Sequence, residues 1–572
     1  MSSRSGASPS PAAPANACRW DAAEVPEAAR DLVQAGIPPR LAPLLARRGL
    51  EDPDSARRFL TPTPDHLHDP FLLAGMDAAV ERLLAMREEG AKVAIVGDYD
   101  VDGVTAAALL SAVFEACGLG VETILPRRMS EGYGFQPVHV ERAAAAGCRL
   151  IVTADCGTTS QAAVSAAGEA GLEVVVTDHH LPDQPLPEGT VQINPKQSHC
   201  DYPFPELSGA GLALKLALAL AQRVERPLPL PALLRIACLG TIADLVPLVG
   251  ENRVIAALGL RALSETRSVG PGLQALMRQS GLKLPITAVD VGFRLGPRIN
   301  AAGRLDTADT ALELLLCRDR QRAAALARQL DDWNRRRQDE EMKVVEEARQ
   351  MVLDLPSLPP VIAAWSPDWH RGVVGIAAGR LAREFHRPSI LLSVEGETAT
   401  GSGRSIRNVH LHDFLARWRP RMERFGGHSQ AIGLTARMDA LEELRNEWQE
   451  AGEEWGPEVL ERRRRYDLSL TPEEVGEELL EELEALEPFG QENPQPLLRI
   501  GPLSLAAPPR LFGRGHLSAP ARGDGGGQVR LLGWSWQDRK EDLSGRFEVL
   551  AYLERDTYRG GTCLRLVDCR PA

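Results

Sequence analysis

Short apolar runs recur through the first third of the chain, at Val93–Val96, Val121–Leu125, Leu150–Thr153 and Val174–Thr177. Each is too brief for a helix, and Ala-rich stretches of helical character, the first at Val104–Cys117, separate them. Strands alternating with helices predict a parallel, doubly wound α/β sheet. Residues 204–264 read as mostly helical. From Thr307 to Leu353 the apolar positions Leu326, Leu330, Trp333, Val345, Ala348 and Val352 keep helical spacing, with no strong breaker before Pro356. That pattern predicts one long connecting helix. A second α/β unit follows, with Val361–Trp365 and Ser389–Val394 as strands, Gly372–Glu384 as a helix and two Gly-rich loops after them. Residues 440–486 are strongly charged and read as helical. From Pro488 onward, Pro, Gly and short alternating strands predict a small β-barrel.

At 572 residues the chain exceeds a single core, so these patterns divide it into domains. They predict a disordered tail over 1–20, a helical lead-in over 21–75 and an α/β domain over 76–305. The connecting helix then covers 306–355, the second α/β domain 356–455, and a charged helical segment with the barrel 456–572. The longest apolar stretch, Gly209–Ala221, is interrupted by Lys215, and no run is long enough to cross a bilayer. The first residues lack an apolar signal core, so the expectation is a monomeric protein of the cytoplasm with no membrane contact. The nine cysteines form no C-x-x-C pair and are expected to be reduced thiols. The net charge of −13 argues against non-specific coating of nucleic acid, but acidic clusters that bind cations weaken that argument.

The chemistry concentrates where the strands end. Asp98, Asp100 and Asp102 alternate directly after the first apolar run, and Gly103 opens a helix. If that segment is extended, the three carboxylates share one face and need cations to neutralise them. The third run leads into Asp155 and the fourth into Asp178-His179-His180, while Asp244 follows a buried apolar segment. In open α/β sheets the ligand site lies beyond the carboxyl ends of the strands, so these tips are expected to converge. A hard, mixed oxygen and nitrogen donor set suits two divalent cations, Mn2+ or Mg2+, with Asp155 able to bridge them for phosphodiester hydrolysis. Taken singly each piece is bland: a D-x-D often caps a helix, Asp-His-His can be a surface turn, and Asp244 can be a cap. No G-x-x-x-x-G-K-[ST] loop is present, and the third aspartate and Asp-His-His fit an aspartyl-phosphate phosphatase poorly.

Taken in order, GDYDVDG, TADCG, TDHH and IADLVPL resemble the four signature motifs of the DHH phosphoesterases. The segments GFRLGPRINAAGRL, WHRGVVGIAAGRL, SGRS, FGGHSQAIGLT and LEPFGQENPQP are similar to the branch of that family that degrades single-stranded DNA. Val96 stands where pyrophosphatase-like relatives carry a His, which fits that branch. The resemblance implies two metal ions held among Asp98, Asp100, Asp102, Asp155, His179 and Asp244, with His180 toward the scissile phosphate. It implies a DHH catalytic domain, a DHH-associated domain and an OB-like barrel for binding nucleic acid. Arg298, Asn300 and Arg304, and in the second α/β domain Ser402, Arg404, Gly426, Gly427 and His428, are the expected phosphate contacts. The activity implied is 5′→3′ hydrolysis of single-stranded DNA to 5′-mononucleotides in repair and recombination. By analogy, a RecQ-type helicase and a single-strand-binding protein are the expected partners. A phosphodiesterase for short RNA or cyclic dinucleotides and a non-catalytic DNA-binding scaffold are the alternatives. Aromatics of the last segment, Phe512, Trp534, Trp536, Phe547, Tyr552 and Tyr558, suit stacking on unpaired bases, although half of them are expected in the barrel core. The run Arg462–Arg465 reads as a solvated helix face.

Overall fold

A computed structural model describes residues 18–127, 131, 132, 134–265, 268–305, 307–513 and 515–572, the side chains of Arg304 and Leu305 excepted. The chain forms two compact units. One comprises Val25–Arg336 together with Glu477–Pro496; the other comprises residues 18–24, Arg337–Gly476 and Leu497–Ala572.

The first unit is built on a parallel sheet. Its strands lie in the order Gly120–Ile124, Lys92–Gly97, Cys148–Ala154, Glu173–Thr177 and Val191–Ile193. Helices cover a parallel sheet on both faces, which is why its central strands are continuously apolar. Val93, Ala94, Ile95 and Val96 are all fully buried. Strand order reverses between Lys92–Gly97 and Cys148–Ala154, so the crevice of a doubly wound sheet opens at the ends of those two strands.

The helix Gly209–Arg223 packs into this core, and the Lys215 that interrupts its apolar run is itself buried. Its ammonium pairs with the buried Glu251 and donates to the His68 carbonyl at 2.7 Å. Glu251 also accepts from Tyr202 Oη at 2.6 Å and from the His68 N–H at 2.8 Å. Among the described residues no helix is long and apolar enough to cross a membrane.

The second unit holds a mixed sheet in the order Met422–Gly427, Ala431–Arg437, Thr398–Arg404, Ser389–Glu395 and Ile362–Ser366, the last two strands parallel. It also holds a closed barrel. Leu498–Leu505 pairs with Phe547–Arg555, then Thr562–Pro571, Gln528–Gly533 and His516–Gly523, which returns to Leu498–Leu505. Closure through a parallel third-to-fifth strand contact gives the OB topology. Phe547 and Trp536 are core residues of this unit, whereas Phe512, Trp534 and Tyr558 are exposed.

Three local expectations change. The long helix begins at Arg320 rather than Thr307, after a separate helix Asp309–Leu316 that ends before Cys317. The basic run is not a helix face: Arg463–Tyr466 is a strand, paired in parallel with Arg19–Ala22. Trp20 anchors that pair, its Nε1 donating to Asp568 Oδ2 at 2.8 Å. Finally, Glu477–Pro496 leaves the barrel segment and belongs to the first unit.

Candidate metal centre

Three acids stand one residue beyond three neighbouring strands, and each continues the sheet's hydrogen bonding. The N–H of Asp98 donates to Ala154 O at 3.2 Å, that of Asp155 to Thr177 O at 3.1 Å, and that of Asp178 to Ile193 O at 3.2 Å. The strand ladder thereby fixes the start of each turn, and the side chains follow from it.

The D-x-D-x-D segment is not extended, as sequence alternation suggested. The strand stops at Gly97, and Asp100 caps the helix Val101–Ala116, accepting from the N–H groups of Asp102 (2.9 Å) and Gly103 (3.1 Å). Asp102 lies in the first helical turn. Gly103 is obligatory there, because a Cβ would lie 2.6 Å from the Asp98 backbone. Asp102 is buried against another helix start, where its Oδ2 accepts from Gly209 N–H at 2.6 Å and its Oδ1 from Ala210 N–H at 2.9 Å. A carboxylate at a helix N-terminus is stabilised by the orphan N–H groups and the helix dipole. Each oxygen has a second lone pair left for a cation. The cradle is tight: a Cβ on Gly209 would lie 2.5 Å from Asp155 Oδ1, and one on Gly240 would lie 2.3 Å from Asp102 Oδ1.

His179 sits at the centre. Its Nε2 is 3.1 Å from Asp155 Oδ1, 3.5 Å from Asp244 Oδ2 and 3.9 Å from Asp102 Oδ2. Asp244 terminates the helix Leu230–Ala243, its N–H donating to Gly240 O at 2.9 Å. Three groupings place one ligand atom per residue within 4.8 Å of each other: Asp98, Asp100 and Asp155; Asp102, His179 and Asp244; and Asp155, His179 and His180. Asp155 thus belongs to two of the three. It adopts φ 66°, a left-handed conformation that Asp tolerates better than most residues.

The donor set fits divalent cations. Burial first, then the neighbouring carboxylates, pushes Asp102 up to about 7 and Asp244 up to about 8, and holds Asp155 well above the carboxylate range. Asp155 Oδ1 and His179 Nε2 are buried and lie close together, yet neither makes a hydrogen bond. Burial, reinforced by the charge of His180, lowers His179 to about 3, leaving a neutral imidazole suited to ligation. Protons held by these acids near neutral pH must leave when a cation binds. Mn2+ binding is therefore expected to release protons and to tighten as pH rises from about 6 to about 8. Calorimetry in buffers of different ionisation enthalpy checks both; a pH-independent affinity contradicts the assignment of these acids.

Asp178, which sequence reasoning passed over as a site residue, has a distinct role. Its Oδ1 accepts from the His179 and His180 N–H groups at 2.8 and 3.1 Å and lies 2.7 Å from His180 Nδ1, while its Oδ2 accepts from Thr158 N–H at 2.9 Å. Burial opposes its ionisation, but the His180 bond and charge and these N–H groups outweigh burial and hold it at about 2. The same pair raises His180, burial notwithstanding. The signal in the sequence was the acid two residues before His180.

The expected phosphate contacts fare unevenly. Arg298 is committed to the buried Asp331, its Nε at 2.9 Å and Nη2 at 2.8 Å from Oδ1, and donates to Arg294 O. Asn300 Oδ1 accepts from Val101 N–H at 3.1 Å and so steadies the helix that carries Asp102. The Arg304 side chain lies outside the described residues. In the second unit, Ser402 pairs with Gly433, which pairs in turn with Gly426, and Arg404 pairs with Ala431. His428 opens the turn between those strands, its N–H donating to Ala431 O at 2.8 Å. Gly427 is at φ 136°, where a Cβ would lie 2.3 Å from Ala431 O. A Cβ on Gly375, in the helix Val374–Phe385, would lie 3.1 Å from both Ser402 Oγ and Arg404 Nη2. The expected Gly-rich loops are therefore strands, Thr398–Arg404 and Met422–Gly427, and the start of that helix lies against Ser402 and Arg404 of the first.

Three family models match: the DHH family N-terminal domain over residues 92–241, the DHHA1 domain over 358–454 and the RecJ OB domain over 466–567. The single-stranded-DNA-specific exonuclease RecJ of Salmonella typhimurium is 36% identical over 93% of this chain and 96% of its own length. The chain belongs to the RecJ family. RecJ of Bacillus subtilis is 38% identical over 81% of this chain, which spans 58% of that longer protein. The crystal structure of RecJ from Thermus thermophilus in complex with Mn2+ superposes with a TM-score of 0.80 at 29% identity, covering 97% of this chain and 80% of that one. The Thermus RecJ is also solved in complex with Mg2+.

Proposed function

We propose that this chain is a metal-dependent exonuclease that hydrolyses single-stranded DNA from its 5′ end to 5′-mononucleotides, serving DNA repair and recombination. The observation that carries the reading is that Asp155 belongs to two candidate ligand groups, one with Asp98 and Asp100 and one with His179 and His180, at the switch point of the sheet. When bound there, a pair of divalent cations supplies Lewis-acid activation of water and charge stabilisation for in-line displacement at phosphorus. Asp98, Asp100, Asp102, Asp155, His179 and Asp244 hold that pair. His180, steadied through Nδ1 by Asp178, offers its other ring nitrogen to a phosphate oxygen, and its raised pKa favours the donating, protonated form. Ser402, Arg404, Gly426, Gly427 and His428 bind the terminal phosphate, as an Arg fork beside a Gly-rich strand end and its turn can.

On the barrel, Phe512 and Trp534 stand exposed with ring centroids 5.9 Å apart, and His516 lies 4.8 Å from Trp534. Aromatics so placed stack on unpaired bases. A monomer in the cytoplasm, working with a RecQ-type helicase and a single-strand-binding protein, completes the reading.

Digestion of 5′- and 3′-labelled single strands and duplexes, with and without Mn2+, tests it. The expected result is early release of labelled mononucleotide from the 5′-labelled single strand alone, and only with Mn2+. Preferential turnover of dinucleotides, or 3′ release, contradicts it.

A further inference from the structure

The LEPFGQENPQP segment, Leu486–Pro496, lies more than 200 positions from the metal motifs in the sequence and takes no part in the proposed chemistry. It nevertheless folds back into the first unit, onto the loop that follows Asp244. Gln491 O accepts from Leu248 N–H at 2.8 Å. Gly490 lies against the buried Leu248, where a Cβ would stand 2.6 Å from Leu248 Cδ1 and 3.0 Å from Cγ. Residues 490–493 form a tight turn, with Gly490 N–H to Asn493 O at 2.9 Å. Asn493 is fully buried and ties the segment together, its Nδ2 donating to Leu486 O at 2.8 Å and Pro488 O at 2.9 Å.

Two arginines hold the segment, one at each end. Arg48 donates to Asn493 Oδ1 at 2.6 Å and to Pro494 O at 2.7 Å. The buried Arg253, in the helix Gly250–Ser264 that begins two residues after Leu248, donates to Leu486 O at 2.8 Å, Glu487 O at 2.8 Å and Ala485 O at 3.2 Å.

Asp244 itself sits where a helix has just ended, followed by Leu245 at φ 62°, so its backbone has no helical continuation to hold it. At their far end residues 245–248 are held by this segment, through Leu248, and by Asn252, whose Nδ2 donates to Pro247 O at 3.1 Å. We infer that Leu486–Pro496 is a positioning strap, with Gly490, Gln491 and Asn493 setting the place of Asp244 and hence the affinity of one of the two cations. The inference rests on Asp244 being a ligand. Outer partners of metal ligands typically contribute about 10–100-fold to metal affinity.

Mn2+ titration calorimetry on the full chain tests the strap, using Gly490→Ala, which crowds Leu248, and Asn493→Asp, which removes the two donors inside the turn. Asp244→Asn serves as reference, and circular dichroism monitors folding. The expected result is that both strap variants weaken one Mn2+ by about tenfold and leave the other unchanged. Nuclease activity in the same variants is expected to shift to higher Mn2+ and to recover near-native kcat at saturation. If Asp244→Asn weakens Mn2+ binding but both strap variants bind as the parent does, the strap is overturned and the ligand set stands. If Asp244→Asn leaves binding unchanged, the assignment of Asp244 fails, and the strap's role with it. A fall in thermal stability with both Mn2+ affinities retained also overturns the inference, since that is all a structural role requires.

Discussion

Asp155→Asn lowers turnover of single-stranded DNA by more than about a hundredfold, beyond what outer partners of a metal ligand cost, while the metal-free protein stays folded and no less stable. Asn is the informative substitution because it keeps the volume and tolerates the left-handed backbone at φ 66°, where Ala would add strain. The loss follows from the charge alone: Asp155 serves two of the ligand groups, so an amide there weakens both. The stability sign follows from burial. Asp155 is a buried carboxyl facing Asp102, Asp100, Asp244 and Asp98, and a neutral amide relieves that repulsion. Steady-state assays and thermal melts in a chelator check the two halves. Near-native turnover by this variant contradicts the shared-ligand role.

Lys215→Met lowers stability by about 3–5 kcal/mol, the range for removing one partner of a buried ion pair. The Lys215 ammonium and Glu251 carboxylate are both screened from water, and Glu251 also gathers Tyr202 Oη and the His68 N–H. Methionine matches the lysine stem but leaves Glu251 charged and uncompensated. Adding Glu251→Gln is expected to recover part of the loss, because an amide needs no counter-charge. Urea midpoints of the single and double variants check this. Equal midpoints for Lys215→Met and the parent contradict the account of the pair.

The parts of the candidate metal site were legible because they are local and strongly patterned. Asp98, Asp155 and His179 each follow an apolar run, and strand ends are readable as changes from apolar to polar. The geometry behind the pattern was not legible. Alternation suggested an extended Asp98–Asp102 segment, yet the backbone turns at Asp98 and Asp102 belongs to a helix. Its convergence with the other acids depends on Gly209 and Ala210, about a hundred residues away, and spacing carries no record of such a contact. Arg298 beside small residues suited a phosphate equally well. Only its distant partner Asp331 shows that the guanidinium already has a buried counter-ion. The same limit hid the return of Glu477–Pro496 to the first unit. It also hid the strand at Arg463–Tyr466, whose neighbour Arg19–Ala22 lies at the other end of the chain. The parallel sheet and the barrel were readable because each follows from local periodicity.

Anomalous diffraction from crystals soaked in Mn2+ tests the centre most directly. Two peaks are expected, one among Asp102, His179 and Asp244 and one among Asp98 and Asp100, with Asp155 touching both. A single peak elsewhere on the chain, or none at these carboxylates under saturating Mn2+, contradicts the two-cation site.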